Sequence, residues 1–113
     1  MPITLTNSTV TVTTAGTRTQ VTSSTSIYVE SIYIEALGTN TGYMYIGNSD
    51  VSSTKYVARL GAGQGWWWTA PSSGGSGYKA VGQGLQISSL YIDSSVSGEK
   101  VQVTYNYHIG TQL

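Results

Sequence analysis

His108 is the single histidine of the 113-residue chain, and cysteine is absent. A histidine-based metal site or proton relay would have to recruit carboxylates from elsewhere, and thiolate ligation and disulfide pairing are excluded. The carboxylates are Glu30, Glu35, Asp50, Asp93 and Glu99. Glu30 and Glu35 stand five apart, but glycoside hydrolysis needs two carboxyl groups held across a cleft at a set separation. In this pattern they read as solvated strand charges, which also discourage unwanted edge pairing. Serine is abundant, yet there is no G-x-S-x-G elbow to expose a nucleophile. Gly61-Ala62-Gly63-Gln64-Gly65 lacks the spacing of a dinucleotide fingerprint, and no P-loop lysine follows, so it reads as a turn. Asn7-Ser8-Thr9 fits a glycosylation sequon but has no secretion signal before it. The expectation is a protein that is not an enzyme and uses no metal or cofactor.

The remaining feature with chemical potential is Trp66-Trp67-Trp68. In a strand, Trp66 and Trp68 face one side and Trp67 the other, so one sheet face cannot bury all three. Each tryptophan can bury roughly 150–250 Å², and leaving that area wet makes a sticky surface. Three uses compete: core on one face with a neighbouring subunit on the other, a contact with another protein of the same particle, or a platform for sugar rings. Packing against core and subunit is favoured, because aromatic anchors typify interfaces. The glycine and serine loops on either side leave room for a ligand.

Composition limits the partners. Charged residues make up 9% of the chain, against roughly 25% in ordinary soluble proteins. Serine and threonine supply 32 residues and glycine 14. Five basic residues (Arg18, Lys55, Arg59, Lys79, Lys100) balance five acidic ones, and neither sign forms a stripe. Nucleic acid and anionic membrane are therefore disfavoured as partners. A net charge near zero removes the repulsion that keeps copies apart, which favours a homo-oligomer or docking on another protein. The N-terminal residues alternate apolar with threonine and lack a basic start followed by an apolar run, and nothing approaches the roughly 20 apolar residues of a membrane span. Synthesis in a cytoplasm is expected.

The elements that must position these residues are strands. Period-two alternation dominates and helical spacing is nowhere sustained. Ile3 and Leu5 alternate with threonine. After a break at Asn7-Ser8, so do Val10 and Val12, giving an N-terminal arm, strand or strand pair over residues 1–14. Ala15-Gly16 turns the chain, and residues 18–22 are expected to run back as the second arm of a hairpin. Over residues 27–37 the apolar set slips phase, which a bulge near Glu30-Ser31 would repair; two short strands meeting at a corner are the alternative. Further strands are expected at 42–47, 56–60, around the tryptophans, at 85–92 and at 100–109, with loops at 48–54 and 71–77. About eight short strands with Gly and Ser turns predict a single all-β domain over residues 1–113, an antiparallel β-sandwich or jelly roll. Nine tyrosines and three tryptophans stand in for phenylalanine, which is absent.

Two segments resemble a pattern common in small structural proteins of tailed bacteriophages. One is Tyr43-Met44-Tyr45-Ile46-Gly47-Asn48-Ser49-Asp50-Val51-Ser52, followed by Tyr56-Val57 and Leu60-Gly61-Ala62-Gly63-Gln64. The other is Leu90-Tyr91-Ile92-Asp93-Ser94-Ser95-Val96-Ser97-Gly98-Glu99-Lys100-Val101. Together they cover under half of the chain, in the expected order, and the tryptophan triplet departs from the pattern. The resemblance implies a β-sandwich virion protein of the capsid decoration (cement) type, often trimeric, that binds the major capsid protein on the capsid surface and stabilises the shell. Trp66, Trp67, Trp68 and the arm residues Ile3, Leu5, Val10 and Val12 are the expected interface or ligand platform. The arm could pair with an exposed sheet edge. A carbohydrate- or receptor-binding module of a fibre or tail is the alternative.

Overall fold

The computed structural model describes residues 4–24, 27–69 and 85–109. Ile3 and the loop expected at 71–77 lie outside these residues. The strands are β1 (Thr4–Val12), β2 (Thr19–Gln20), β3 (Ile27–Ala36), β4 (Met44–Gly47), β5 (Ala58–Leu60), β6 (Gly65–Thr69), β7 (Leu85–Gln86), β8 (Tyr91–Ser94) and β9 (Glu99–Ile109). They form two antiparallel sheets. The front sheet has the order β1-β9-β3-β6, with β7 also beside β3, and the back sheet has the order β2-β8-β4-β5. If β7 and β8 are counted as one interrupted strand, this winding is that of a jelly roll, with every connection except β4–β5 passing from one sheet to the other. The expected all-β sandwich is therefore the fold.

Alternation sets the core. Val10 and Val12 of β1, Ile32, Ile34 and Ala36 of β3, and Val101, Val103 and Tyr105 of β9 point inward from the front sheet. They meet Met44, Ile46, Leu60 and Ile92 from the back sheet. Each large apolar side chain so buried stabilises the fold by about 1.5–3 kcal/mol.

The phase slip in β3 is a bulge. Val29 pairs with Tyr107 and Ser31 with Asn106, leaving Glu30 as the extra residue. The Asn106 side-chain oxygen accepts hydrogen bonds from the Ser31 N–H (2.9 Å) and hydroxyl (3.0 Å), satisfying the backbone where the ladder is interrupted.

Four expectations are corrected. Asn7 and Ser8 do not break β1, whose register with β9 runs unbroken from Thr4↔Tyr107 to Val12↔Glu99. The Asn7 amide donates to Thr104 Oγ1 at 2.8 Å and its oxygen accepts from Gln102 Nε2, so cross-strand bonding overrides the local turn preference. Residues 18–22 do not fold back on β1. The turn at Gly16 (φ +87°) carries the chain to the other sheet, where β2 pairs with β8. Residues 85–92 are not one strand. A 3₁₀ turn at Ile87–Ser89 separates β7 from β8 and sends both Ile87 and Leu90, three apart, into the core. The strand expected at 56–60 shortens to β5, because Tyr56 belongs to the preceding loop.

That loop, residues 48–57, folds over the outer side of the back sheet. Tyr45 points outward from β4 but is only 6% exposed, with its ring centroid 5.4 Å from that of Tyr56. Val51 is 1% exposed and lies against Gly47, where a Cβ would come within 3.0 Å of a Val51 methyl. Arg18 Nε donates to the Val51 carbonyl (3.2 Å), tying the loop to the chain between β1 and β2.

Candidate functional site

Among the described residues, no loop folds over the outer side of the front sheet. Because the registers of β1, β9, β3 and β6 are continuous at this level, Asn7, Thr104, Tyr33 and Trp67 form one row across all four strands. Thr9, Gln102, Glu35 and Gly65 form the next row, and Leu5, Asn106, Ser31 and Thr69 the one on the other side. The β1 and β9 part of this face is knit together: besides the Asn7 bonds, Thr9 Oγ1 donates to Gln102 Oε1 at 2.8 Å. The β3 and β6 part is aromatic.

The tryptophan triplet divides as strand alternation requires. Trp66 and Trp68 are half-buried and pack against the core, so they are structural anchors of β6. Trp67 is 69% exposed. It meets Tyr33 edge-on, with ring centroids 6.1 Å apart and planes at 67°. Its indole Nε1 donates to Thr69 Oγ1 at 2.7 Å, which fixes the ring's orientation. Tyr33 in turn lies flat over Gly65: a Cβ there would sit 2.1 Å from the phenol oxygen. Only glycine permits this approach.

The arm residues also divide. Val10 and Val12 are core, which corrects their placement on an interface. Leu5, at an odd position of a strand whose even positions face inward, is 73% exposed on the outer face. The phase change between Leu5 and Val10 is therefore real, and it sends Leu5 to the opposite side from Val10 and Val12 instead of marking a break. β1 is also the edge of the front sheet. Its nine residues contain no charge and no proline, and its register has no bulge, so β1 itself carries none of these features that blunt an exposed edge.

The other polar groups of note hold loops together. Asp93 Oδ1 accepts from the Gly16 and Ser94 N–H groups (2.9 and 2.8 Å). The Asn40 side chain pairs with both backbone groups of Lys100. Glu99, 8% exposed, accepts from the Thr41 N–H (2.8 Å) and hydroxyl (3.3 Å) and from the Gly42 N–H (2.7 Å). Burial pushes this carboxyl up, but those donors outweigh it and hold its pKa below the ordinary glutamate range. Sequence reasoning did not foresee the Glu99 clasp. Its one signal is a carboxylate directly after a glycine of positive φ, Gly98 (+85°).

Among the described residues no three His, Cys, Asp or Glu side chains gather to hold a metal ion. Glu35 lies on the outer face and Glu30 at the bulge, on opposite sides of the register shift. His108 is opposite Tyr28 in β9, and its side chain lies outside what is described. No helix among these residues is long and apolar enough to cross a membrane. Set against models of known protein families, curated proteins and solved structures, the chain matches none.

Proposed function

We propose that this protein is a non-enzymatic structural component of a bacteriophage virion, a decoration protein that binds the outside of the assembled capsid and stabilises it. The observation that carries the reading is the β1 edge: nine residues of neutral, threonine-rich strand, among them the exposed Leu5, with no partner on their outer side among the described residues. A strand from the major capsid protein, or from a neighbouring copy in a homotrimer, would complete the ladder there. The two phage-like segments support the same reading. They fall on β4 with its covering loop and on β8 with the turn into β9. Stabilisation follows from mass action, because a protein that binds only the assembled shell favours that shell.

The test is the mass of the protein in solution together with its co-sedimentation with empty capsids of the phage that carries it. The expected result is a trimer that pellets with capsids and raises their melting temperature, with both properties lost in Leu5→Lys, which places a charge beside the edge. A strict monomer without capsid affinity overturns the reading.

A further inference from the structure

We propose that Trp67, Tyr33 and Glu35 form a binding site for an uncharged saccharide, with one pyranose ring stacked on the Trp67 indole and its hydroxyls bonded to the Tyr33 phenol and the Glu35 carboxylate. This goes beyond attachment to a capsid and does not depend on it. It also narrows the ligand use of the tryptophan triplet to one member, since Trp66 and Trp68 are committed to the core.

Three observations carry the site. Trp67 offers a large exposed ring whose orientation is already set by Thr69 and Tyr33, so little side-chain freedom is lost when a ligand arrives. It stands on a strand packed into the sandwich, which holds a site more rigidly than a loop does. The C–H face of a pyranose is apolar and weakly positive, and it complements the negative face of an indole.

The second observation is the contrast in hydrogen bonding across the face. On β1 and β9 the side chains of Asn7, Thr9, Gln102 and Thr104 bond to one another. On β3, the Tyr33 hydroxyl and the Glu35 carboxylate make no hydrogen bond or ion pair to another described residue. Both are near the indole. Tyr33 is directly opposite Trp67, and Glu35 is opposite Gly65, one diagonal step from it. A hydroxyl that donates and accepts, next to a carboxylate that accepts, is the complement of a sugar's adjacent hydroxyls.

The third is Gly65. It lets the Tyr33 ring lie down against the backbone of the edge strand, so the phenol and carboxylate stand beside the indole with nothing projecting from residue 65. Charge sets the class of sugar. The carboxylate near Trp67 is Glu35, and the nearest described cation on this face, Lys100, is one strand and two residues along from Glu35 but two strands and four residues along from Trp67. A ligand stacked on Trp67 thus stands nearer to the carboxylate than to any described cation, which disfavours an acidic sugar. A protein partner fits less well at this end of the face, because the Trp67–Tyr33 pair is bordered there by Thr69, Ser31, Glu35 and Thr104, and the exposed apolar Leu5 stands three strands away on β1.

A flat site of this kind binds one chain weakly, with a Kd on the order of 1 mM, and gains strength when several copies act together. The test is titration of the isotope-labelled protein with maltohexaose, cellohexaose and chitohexaose, and with sialyllactose as the acidic control, followed by nuclear magnetic resonance. At least one neutral hexasaccharide should shift the Trp67 indole N–H and the Gly65 amide while leaving the Gly98 amide in place. Trp67→Ala should weaken binding by about tenfold or more, and Glu35→Gln and Tyr33→Phe by about threefold each. Leu5→Lys should bind as the parent does, which separates this site from capsid attachment. The proposal is overturned if none of the neutral probes moves those two resonances, if sialyllactose alone does, or if Trp67→Ala binds unchanged. Mapping on the unaltered protein decides the matter even if a variant fails to fold.

Discussion

On the outer side of the back sheet, Tyr45 lies beneath Tyr56 and Gly47 beneath Val51, while on the outer side of the front sheet Trp67 and Leu5 stand exposed. Both faces present alternate residues of strands, and both include aromatic rings. The difference lies in the connections. The ten residues between β4 and β5 are long enough to fold back over their own sheet, whereas the described connection into β6 is only residues 61–64, a tight turn. An apolar or aromatic side chain on an outer face is therefore a core residue or a surface residue according to what the adjoining loop does.

Truncating an aromatic on each face is the sharpest test of that contrast. Tyr45→Ala empties a closed space between sheet and loop and should lower stability by about 3 kcal/mol in denaturant unfolding. If the loss is as small as for a surface residue, the loop does not seal the back sheet. Acid should have an intermediate effect. Because the Glu99 pKa is depressed in the folded state, its carboxylate contributes stability that is complete above the unfolded-chain value of roughly 4.3 and is lost as pH falls through the folded value. A melting series from neutral to acid pH should show this loss, and Glu99→Gln should flatten it. The smallest effects belong to the open face: Trp67→Ala should change unfolding free energy by no more than about 0.5 kcal/mol, and so should Leu5→Lys when both proteins are compared at a dilution at which the parent is monomeric. A larger change at either position would mean that the face is part of the folded core after all.

The parts of this structure that can be read in the sequence are those governed by local alternation. The bulge at Glu30 is announced by the shift of apolar residues from Ile27 and Val29 to Ile32 and Ile34, and the split of the tryptophans follows from period two alone. What cannot be read is which strand lies next to which. Gly16 signals a reversal, but a turn residue does not say whether the chain returns to the same sheet or crosses to the other. Asn7-Ser8 looks like a stop until Thr104 and Gln102, almost a hundred residues away, occupy its side chain. For the site, Trp67 stands out by composition. Tyr33 and Gly65 carry only faint signals: an aromatic in the solvent phase of a strand, and a glycine that could equally have been part of a turn.

The place of β9 has a consequence for how the protein is made. It lies between β1 and β3 and is the central partner of both, yet it comes after every other described strand in chain order. While the chain is still emerging, β1 and β3 have no neighbour on the side that β9 will occupy. The front sheet cannot close until residue 109 is free of the ribosome. Assembly of this sheet is thus a late, long-range event, of the type that folds slowly and exposes strand edges during the wait. The uncharged, threonine-rich character of β1 suits that interval, since it limits the apolar surface shown before its partner arrives.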